Sequence, residues 1–248
     1  MNRKEFLEAL PLSRLTVKLI GATLELCTDD IDDIHVMVSG ADRDVEKLKI
    51  AVTGDQLLIE QPATSIAKNP VGTSWLQVTV RMPYSWKGRI DGRTVSGWIN
   101  VRNLAGSDLT LDTVSGLITA TGLDFITASL KSITGDVKVN GMACEKCTLG
   151  STSSDVTVQS GRMATCSLAT ITGNAALSLL SPFTAITATS VTGDLAIDAP
   201  IAACDAVLRS VSGRIRTSGV SIVEDAPASV HFSSVSGILD LVQTEMPQ

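Results

Sequence analysis

The chain has 248 residues, 44% of them hydrophobic and only 3% aromatic, and its formal net charge is −6 at pH 7. That length accommodates one large or two modest domains. The many aliphatic residues and 19 glycines favour short strands joined by frequent turns. A protein that binds nucleic acid needs a basic surface, so the acidic balance argues against nucleic acid as a partner. The odd number of cysteines, five, fits reduced thiols better than a disulfide framework.

The first segment, MNRKEFLEALP (1–11), predicts a short N-terminal helix. Asn2 can cap this helix and Pro11 can end it, and Phe6, Leu7 and Leu10 would share one side. The segment lacks the apolar stretch of a secretory signal, and no run in the chain reaches the ~18 apolar residues of a membrane-spanning helix. We therefore expect a cytoplasmic protein without a membrane span. A place on the cell surface would require a leader ahead of this sequence.

Residues 12–90 form a β-rich region that lacks the repeat described below. Alternating apolar residues predict strands at 14–27, 33–40, 47–53, 56–61 and 75–82, with a loop over 62–74. A stack of repeats needs a cap over the open end of its core and over its strand edges. The sequence predicts that residues 12–90 are this cap and that they merge with the repeats into one continuous unit.

Residues 91–248 are repetitive. The tetrapeptide [ST]-[VI]-[ST]-G recurs seven times, and a degenerate copy, STSS at 151–154, fills the one gap. The fourth positions follow one another at steps of 19, 19, 19, 19, 20, 20 and 24 residues. Chance does not maintain such a register through eight copies, so the spacing predicts a repeat protein. We assign a structural role at a bend to the repeat glycines, which are Gly97, Gly116, Gly135, Gly173, Gly193, Gly213 and Gly237.

Positions are numbered here from the repeat glycine, and equivalent positions in successive repeats form a column. Columns −5, −2, +2 and +4 are apolar with polar residues between them, and a period of two is typical of a strand with one buried face. We predict that these four columns are buried and that the chain bends between −5 and −2. Each repeat is then one coil of an all-β, right-handed parallel β-solenoid with coils of 19–20 residues.

Two segments upstream of the repeats carry a family resemblance. GDQLLIEQ (54–61) is followed by WLQVTVRMPYSW (75–86), which leads directly into the first TVSG copy. Together with the repeated SVSG, they resemble the bacterial putative-adhesin family of domains of unknown function, over roughly residues 15–242. The resemblance implies the solenoid architecture and an adhesin-like role. Members of that family also occur in contexts that suggest envelope or stress regulation, which implies a second role.

Column +1 holds the candidates for chemistry, Asp136, Asp155 and Asp194, with Asn174 among them. Stacked carboxylates could bind calcium or supply the acids of a polysaccharide-active β-helix enzyme. A Gly-Asp pair is also ordinary turn chemistry, because a short polar side chain suits a bend. We favour the turn interpretation and predict that the three aspartates are exposed and not catalytic.

Serine and threonine fill columns −3 and −1 in all eight copies. Two such columns on one flat β face would resemble an ice-binding surface, although ten of the sixteen positions are Ser rather than Thr. The simpler interpretation is a pair of hydroxyl ladders that satisfy hydrogen bonds along the stacked turns.

Cys147 and Cys166 are 19 residues apart in column −7. The register predicts that they lie on adjacent coils as buried, reduced thiols, with Cys144 outside their column and more reactive. Cys144 and Cys147 form half of a zinc motif, but the sequence has no second C-x-x-C or histidine pair to complete it.

No catalytic constellation and no cofactor motif stands out in the sequence. We therefore expect a non-enzymatic scaffold or interaction protein, adhesin-like, that binds a protein or glycan partner on its solenoid faces and needs no cofactor or metal. Homo-oligomers would form through the solenoid ends or edges. The alternative is an intracellular regulator or sensor linked to envelope stress, and the polysaccharide-active enzyme is a third hypothesis.

Overall fold

The computed structural model describes residues 1–9, 11–62 and 76–245. These ranges consist mostly of β-strands with one short helix, α1 (Asp42–Lys47), and contain no helix that is long and apolar enough to cross a membrane. The strands in chain order are β1 (Asn2–Glu8), β2 (Arg14–Lys18), β3 (Thr23–Asp29), β4 (Asp33–Gly40), β5 (Lys49–Thr53), β6 (Gln56–Glu60), β7 (Leu76–Pro83), β8 (Arg89–Ser96), β9 (Ile99–Ser115), β10 (Ile118–Ser132), β11 (Val137–Ser151), β12 (Val156–Thr170), β13 (Ala175–Leu179), β14 (Ala185–Thr189), β15 (Leu195–Ala199), β16 (Ala203–Ser210), β17 (Arg214–Ser218), β18 (Ser221–Ile222), β19 (Ser229–Ser234) and β20 (Ile238–Gln243).

The centre of the molecule is a stack of parallel coils formed by β9, β10, β11 and β12. Each coil pairs in register with the next at an offset of 19 residues, so that Val137 lies between Ile118 and Val156. The ladder hydrogen bonds of a coil therefore run to the coils above and below it. The predicted parallel β-solenoid is confirmed.

Three of the four columns that were predicted to be buried line the core. Ile118 and Val137 in column +2 and Leu130 in column −5 are completely buried. The exceptions lie late in the sequence, where Leu208 and Ile215 are half-buried and Thr217 is exposed. The inward columns thus hold wherever a coil has neighbours on both sides.

The prediction for column −2 is wrong, because its side chains point outward. They are 42% to 85% exposed in Val95, Val114, Ile133, Ile171, Val191, Val211 and Val235. Column −3 is the inward one instead, with buried hydroxyls in Thr94, Thr113, Ser132, Ser151 and Thr170. The two-residue period continues from −5 to −3, and β9 runs unbroken through Leu111 and Val114, so the predicted bend between −5 and −2 is wrong as well. Three of these five buried hydroxyls bond to a backbone carbonyl oxygen, as Ser132 Oγ does to that of Gly116 at 3.2 Å.

The repeat glycines permit the close approach of successive coils. A Cβ on Gly135 would lie 2.0 Å from the carbonyl oxygen of Gly116, and the corresponding distances at all seven repeat glycines are 1.9 to 2.4 Å. A side chain at any of these positions would therefore require the neighbouring coil to shift. A second bend lies at column +6, where the backbone is left-handed in Asn103, Gly122, Gly141, Ser160 and Gly219. This bend was not predicted from the sequence, although its residues recur at the repeat spacing and are mostly glycine or asparagine, which adopt this conformation most readily.

The first and last coils of the sequence do not lie at the ends of the stack. Towards the C-terminal end, β19 lies between β14 and β16, and β20 lies between β15 and β17. Towards the N-terminal end, β2 lies between β6 and β8, and β3 lies between β7 and β9. At each end, the outermost layer of parallel strands therefore comes from a segment further inside the sequence. These strands are β6 and β7 at the N-terminal end and β16 and β17 at the C-terminal end.

The N-terminal end is closed by antiparallel strands. β5 pairs with β6, β4 pairs with β7, and β1 pairs with β4, while α1 contributes the buried Val45 to the core. The predicted helix over residues 1–11 is wrong, because Asn2–Glu8 is strand β1, in register with β4. Helix propensities differ by at most about 1 kcal/mol per residue outside proline, and strand pairing overrides them here.

The remaining strand predictions for the cap hold with one division and one shifted boundary, since Lys47 ends α1 and the strand predicted from residue 47 begins at Lys49. The predicted strand 14–27 is two strands, β2 and β3, because the chain turns at residues 19–22 to begin the second side of the coil. The predicted loop 62–74 and the first residue of strand 75–82 lie, apart from Pro62, outside the described residues. The proposed boundary at residue 91 falls within β8, and side chains from both regions belong to one hydrophobic core.

Candidate functional site: a groove beside the glycine bend

A groove with a volume of about 810 Å³ runs along the stack beside the glycine bend. We term it the corner groove. Columns −4, −3 and −2 of five successive coils line most of it, with Lys18 and Leu19 at one end. Its lining triplets are residues 93–95, 112–114, 131–133, 150–152 and 169–171. The groove therefore crosses the strands and presents one similar set of side chains per coil.

One wall of the corner groove is apolar. Val95, Val114, Ile133 and Ile171 stand along it, between 42% and 48% exposed, and Thr152 takes the equivalent place in the degenerate copy. The row continues beyond the groove, and the whole column is termed the apolar ridge: in stack order Val95, Val114, Ile133, Ile171, Val191, Val235 and Val211. Its side chains recur at about 4.8 Å per coil. A row of exposed apolar groups of this length is typical of an interaction surface.

The hydroxyls of column −3 form the floor of the groove. Ser151 Oγ donates a hydrogen bond to the Gly135 carbonyl oxygen at 3.3 Å, whereas the buried Thr113 Oγ1 has no partner among the described residues. In column −1, Thr134 Oγ1 donates to the Val114 carbonyl oxygen at 3.2 Å. These contacts are the predicted hydroxyl ladders. One column faces inward and the other outward, so the two do not form the flat surface of the ice-binding alternative.

Column −4 gives the corner groove two different halves. Near β8 to β10 its members are charged: Arg93 Nε lies 2.8 Å from Asp91 and 3.6 Å from Asp112. Burial raises the pKa of Asp112, and the positive charges of Arg93 and Lys131 oppose that rise. Near β11 and β12 the members are the small Gly150 and Ala169. A ligand in the groove would meet charges at one end and little steric hindrance at the other.

Two of the three aspartates of column +1 bind backbone groups, and the third pairs with a lysine. Asp155 Oδ1 accepts a hydrogen bond from the N–H of Asn174 at 2.8 Å, and Asp194 Oδ1 accepts one from the N–H of Ile238 at 2.8 Å. Asp136 lies 2.9 Å from Lys138 Nζ. Asp155 and Asp194 are exposed and Asp136 is partly exposed. Within the described residues, no three Asp, Glu, His or Cys side chains are grouped as metal ligands. These contacts support the turn interpretation, and calorimetric titration with calcium tests it.

The cysteines lie as the register predicts. Cys147 and Cys166 are paired on adjacent coils, each 3% exposed, and Cys144 is half-buried. Contact with the thiols of Cys144 and Cys166, together with burial, raises the pKa of Cys147 well above its usual value. The hydrogen bond from Cys147 lowers the pKa of Cys144. All five cysteines are free thiols.

Comparisons with known proteins agree with this architecture. Among curated proteins, none matches the chain in sequence. A similar solved structure is a "putative adhesin" from Bacteroides fragilis NCTC 9343, 13% identical with a TM-score of 0.62, covering 98% of this chain and 97% of that one. A "putative adhesin" from Parabacteroides distasonis ATCC 8503 is 13% identical with a TM-score of 0.62, covering 97% of each chain. A "putative lipid binding protein" from the same strain is 14% identical with a TM-score of 0.54, covering 96% of each.

At such low identities the solved structures show the shared fold alone. The sequence profile of the family described as Toastrack DUF4097 matches residues 12–246, nearly the whole chain. The chain therefore belongs to the Toastrack DUF4097 family.

Proposed function

We propose that this protein is a non-enzymatic, adhesin-like binding protein that holds an extended apolar segment of a partner protein in the corner groove. The observation that carries the proposal is the apolar ridge, which places a half-exposed valine or isoleucine beside the groove on four of the five coils that it crosses. Burial of apolar surface contributes about 25 cal/mol per Å². The stacked strands hold these side chains in a fixed row, so the conformational entropy lost on binding comes mainly from the partner segment.

A polypeptide matches the groove better than a glycan or a lipid. No aromatic residue is among the described residues that line the groove, so a sugar ring finds no flat apolar surface on them. An acyl chain would match the apolar ridge but would place hydrocarbon beside the charged Arg93, Asp112 and Lys131 and remove water from them. A peptide can place apolar side chains on the ridge and polar groups opposite these charges. The names of the similar structures, two adhesins and a lipid-binding protein, support a binding role in general.

A binding assay with one substitution and one matched control tests the proposal. Ile133→Asp places a charge in the apolar wall, and Val191→Asp makes the same change in the same column outside the groove, at 43% rather than 46% exposure. Wild-type protein and both variants would be applied to a peptide array, a glycan array and lipid vesicles. We expect apolar peptides to bind wild type and Val191→Asp equally, and to bind Ile133→Asp at least tenfold more weakly.

The proposal fails if both variants retain peptide binding, or if only glycans or vesicles bind. Equal melting temperatures of the two variants would show that the loss of binding is local. Fractionation of native protein tests the cytoplasmic location that we propose from the sequence. An extracellular location would favour adhesion over the alternative role as an intracellular regulator.

A further inference from the structure

The C-terminal end of the stack has free strand edges. Among the described residues, β17 pairs with β20 on one side and has no strand on the other. β16 pairs with β19 over residues 205–210, and its other edge is covered by β18 only at Ala203 and Cys204. An edge strand presents alternate backbone N–H and C=O groups without partners, and these can pair with an added strand. This rung of β16 and β17 is termed the outer rung.

The hydrophobic core is uncovered at the same place. Ala206, Leu208 and Ile215 of the outer rung are only half-buried. Their register partners on the rung beneath are at most 2% exposed: Val230, Phe232 and Leu239. The difference arises because the outer rung has a neighbour on one side only. One more strand on this end would give the half-buried residues the environment that every inner coil already has.

The outer rung also has an excess of positive charge, with three arginines and one acidic residue, Asp205. Arg209, Arg214 and Arg216 are exposed, and none of them makes an ion pair or hydrogen bond within the described part of the chain. From the rung beneath, Asp240 lies in register with Arg216, whereas uncharged Ile238 lies in register with Arg214. Like charges directly opposite each other on neighbouring strands are destabilising, and opposite charges are favourable. The edge therefore disfavours pairing with a second copy of itself and favours an acidic strand.

We propose that the outer rung binds an extended, acidic segment of a partner polypeptide as an additional strand. Its backbone pairs with the free edge of β17, its inward apolar side chains cover Ile215, and its outward carboxylates lie opposite Arg214 and Arg216. The alternation of apolar and acidic residues sets the register, because a shift by one residue would bury the carboxylates. This site is separate from the corner groove, so the two proposals stand or fall independently.

The test uses a labelled peptide derived from the strand that already pairs with β17. The acidic peptide has the sequence of residues 236–243 with Ile238→Glu, which places acidic residues opposite both Arg214 and Arg216. The control peptide carries Ile238→Lys and Asp240→Lys. Fluorescence anisotropy would measure binding to wild type, to the double variant Arg214→Glu/Arg216→Glu, and to Arg162→Glu. Arg162 is an exposed arginine on β12, which has neighbours on both sides.

We expect wild type and Arg162→Glu to bind the acidic peptide at least tenfold more tightly than the lysine peptide, and the double variant to reverse that preference. Hydrogen exchange of the amides at 214–218 should slow when the acidic peptide binds. Equal binding of the two peptides, or protection only outside the outer rung, would refute the proposal. Sedimentation of wild type as a dimer with residues 205–218 protected would also refute it, since a second copy would then occupy the edge.

Discussion

Coil β11 and the outer rung have the same pattern of columns but different surroundings. β11 lies between β10 and β12, and its Leu149 is 1% exposed. Leu208 occupies the same column in β16 and is half-buried, because β19 is the one described strand that pairs with β16 at this position. The comparison shows that a coil of this length does not bury its own apolar side. Each coil receives its hydrophobic environment from its two neighbours, so stability depends on position in the stack.

An inward charge should have the largest effect on this comparison. Val137→Asp places a carboxylate in a completely buried site between two coils, and we expect a loss of about 3–5 kcal/mol in the free energy of unfolding. Ile215→Asp in the same column of the outer rung should cost about 1 kcal/mol, because water reaches that side chain. Urea denaturation monitored by circular dichroism measures both. Equal losses would show that the outer rung is covered in solution.

The repeat glycines should show the same dependence with a smaller effect. A Cβ at Gly135 would lie 2.0 Å from the Gly116 carbonyl oxygen inside the stack, and Gly135→Ala should cost about 2–3 kcal/mol. At Gly213 the nearest backbone oxygen, that of Gly237, is 2.4 Å away, and the outer rung can move outward to relieve the contact. We expect Gly213→Ala to lower the midpoint of thermal unfolding by less than half as much as Gly135→Ala does. A greater loss at Gly213 would contradict the order of the rungs.

The bend at column +6 offers a stabilising change. Ser160 is left-handed, with φ 55°, at a position where the two preceding coils have glycine. Ser160→Gly should relieve this conformation and stabilise the protein by about 0.5–1 kcal/mol, after the greater chain entropy that glycine brings to the unfolded state. The reverse change on the outer rung, Gly219→Ser, should destabilise by a similar amount. Chemical denaturation of both variants measures the two changes in the free energy of unfolding. If Ser160→Gly destabilised the protein or Gly219→Ser stabilised it, the coils would not share this bend.

Cysteine labelling tests the comparison without any substitution. We expect brief alkylation of folded protein to label Cys144 first, Cys204 next, and Cys147 and Cys166 last. Cys204 is fully buried, but among the described strands only the two-residue β18 pairs with it on the outer side, so local opening should expose it. Burial raises the pKa of Cys204 to about 11, so its labelling should accelerate as the pH rises towards that value. Mass spectrometry of the peptides gives the order, and equal labelling of Cys144, Cys147 and Cys166 would contradict the register.

The sequence predicted the coil period, the glycine bend and three inward columns because each depends on residues that recur at a fixed spacing. Column −2 was assigned to the buried side of the coil because its valines and isoleucines are hydrophobic. Hydropathy alone does not determine whether a side chain points into the core. Valine and isoleucine lie outside at this bend, while the hydroxyl of Ser132 lies inside and bonds to a backbone carbonyl oxygen. The N-terminal helix was wrong for a related reason, since the pairing of Asn2–Glu8 with β4 is a contact between distant segments that local signals do not contain.

The corner groove could not be predicted from the sequence of a single repeat. Its depth comes from the small Gly150 and Ala169 on neighbouring coils, and its apolar wall depends on the outward direction of column −2. Both follow from how coils stack. The open outer rung could not be predicted either, because constant spacing suggests that coils follow one another in sequence order. The longer final step of 24 residues was the one sign that the last coil is placed differently.

The interleaved position of β19 and β20 bears on how the protein is made. A ribosome synthesises β16 and β17 before the strands that must lie beneath them. The growing chain therefore cannot complete its stack coil by coil from the N-terminus, as a simple solenoid can. The edges of β14 and β15 remain unpaired until residues 229–243 have left the ribosome. During that interval these two strand edges and their apolar columns can pair with other chains. The rate of translation through residues 229–243 sets how long the edges stay exposed.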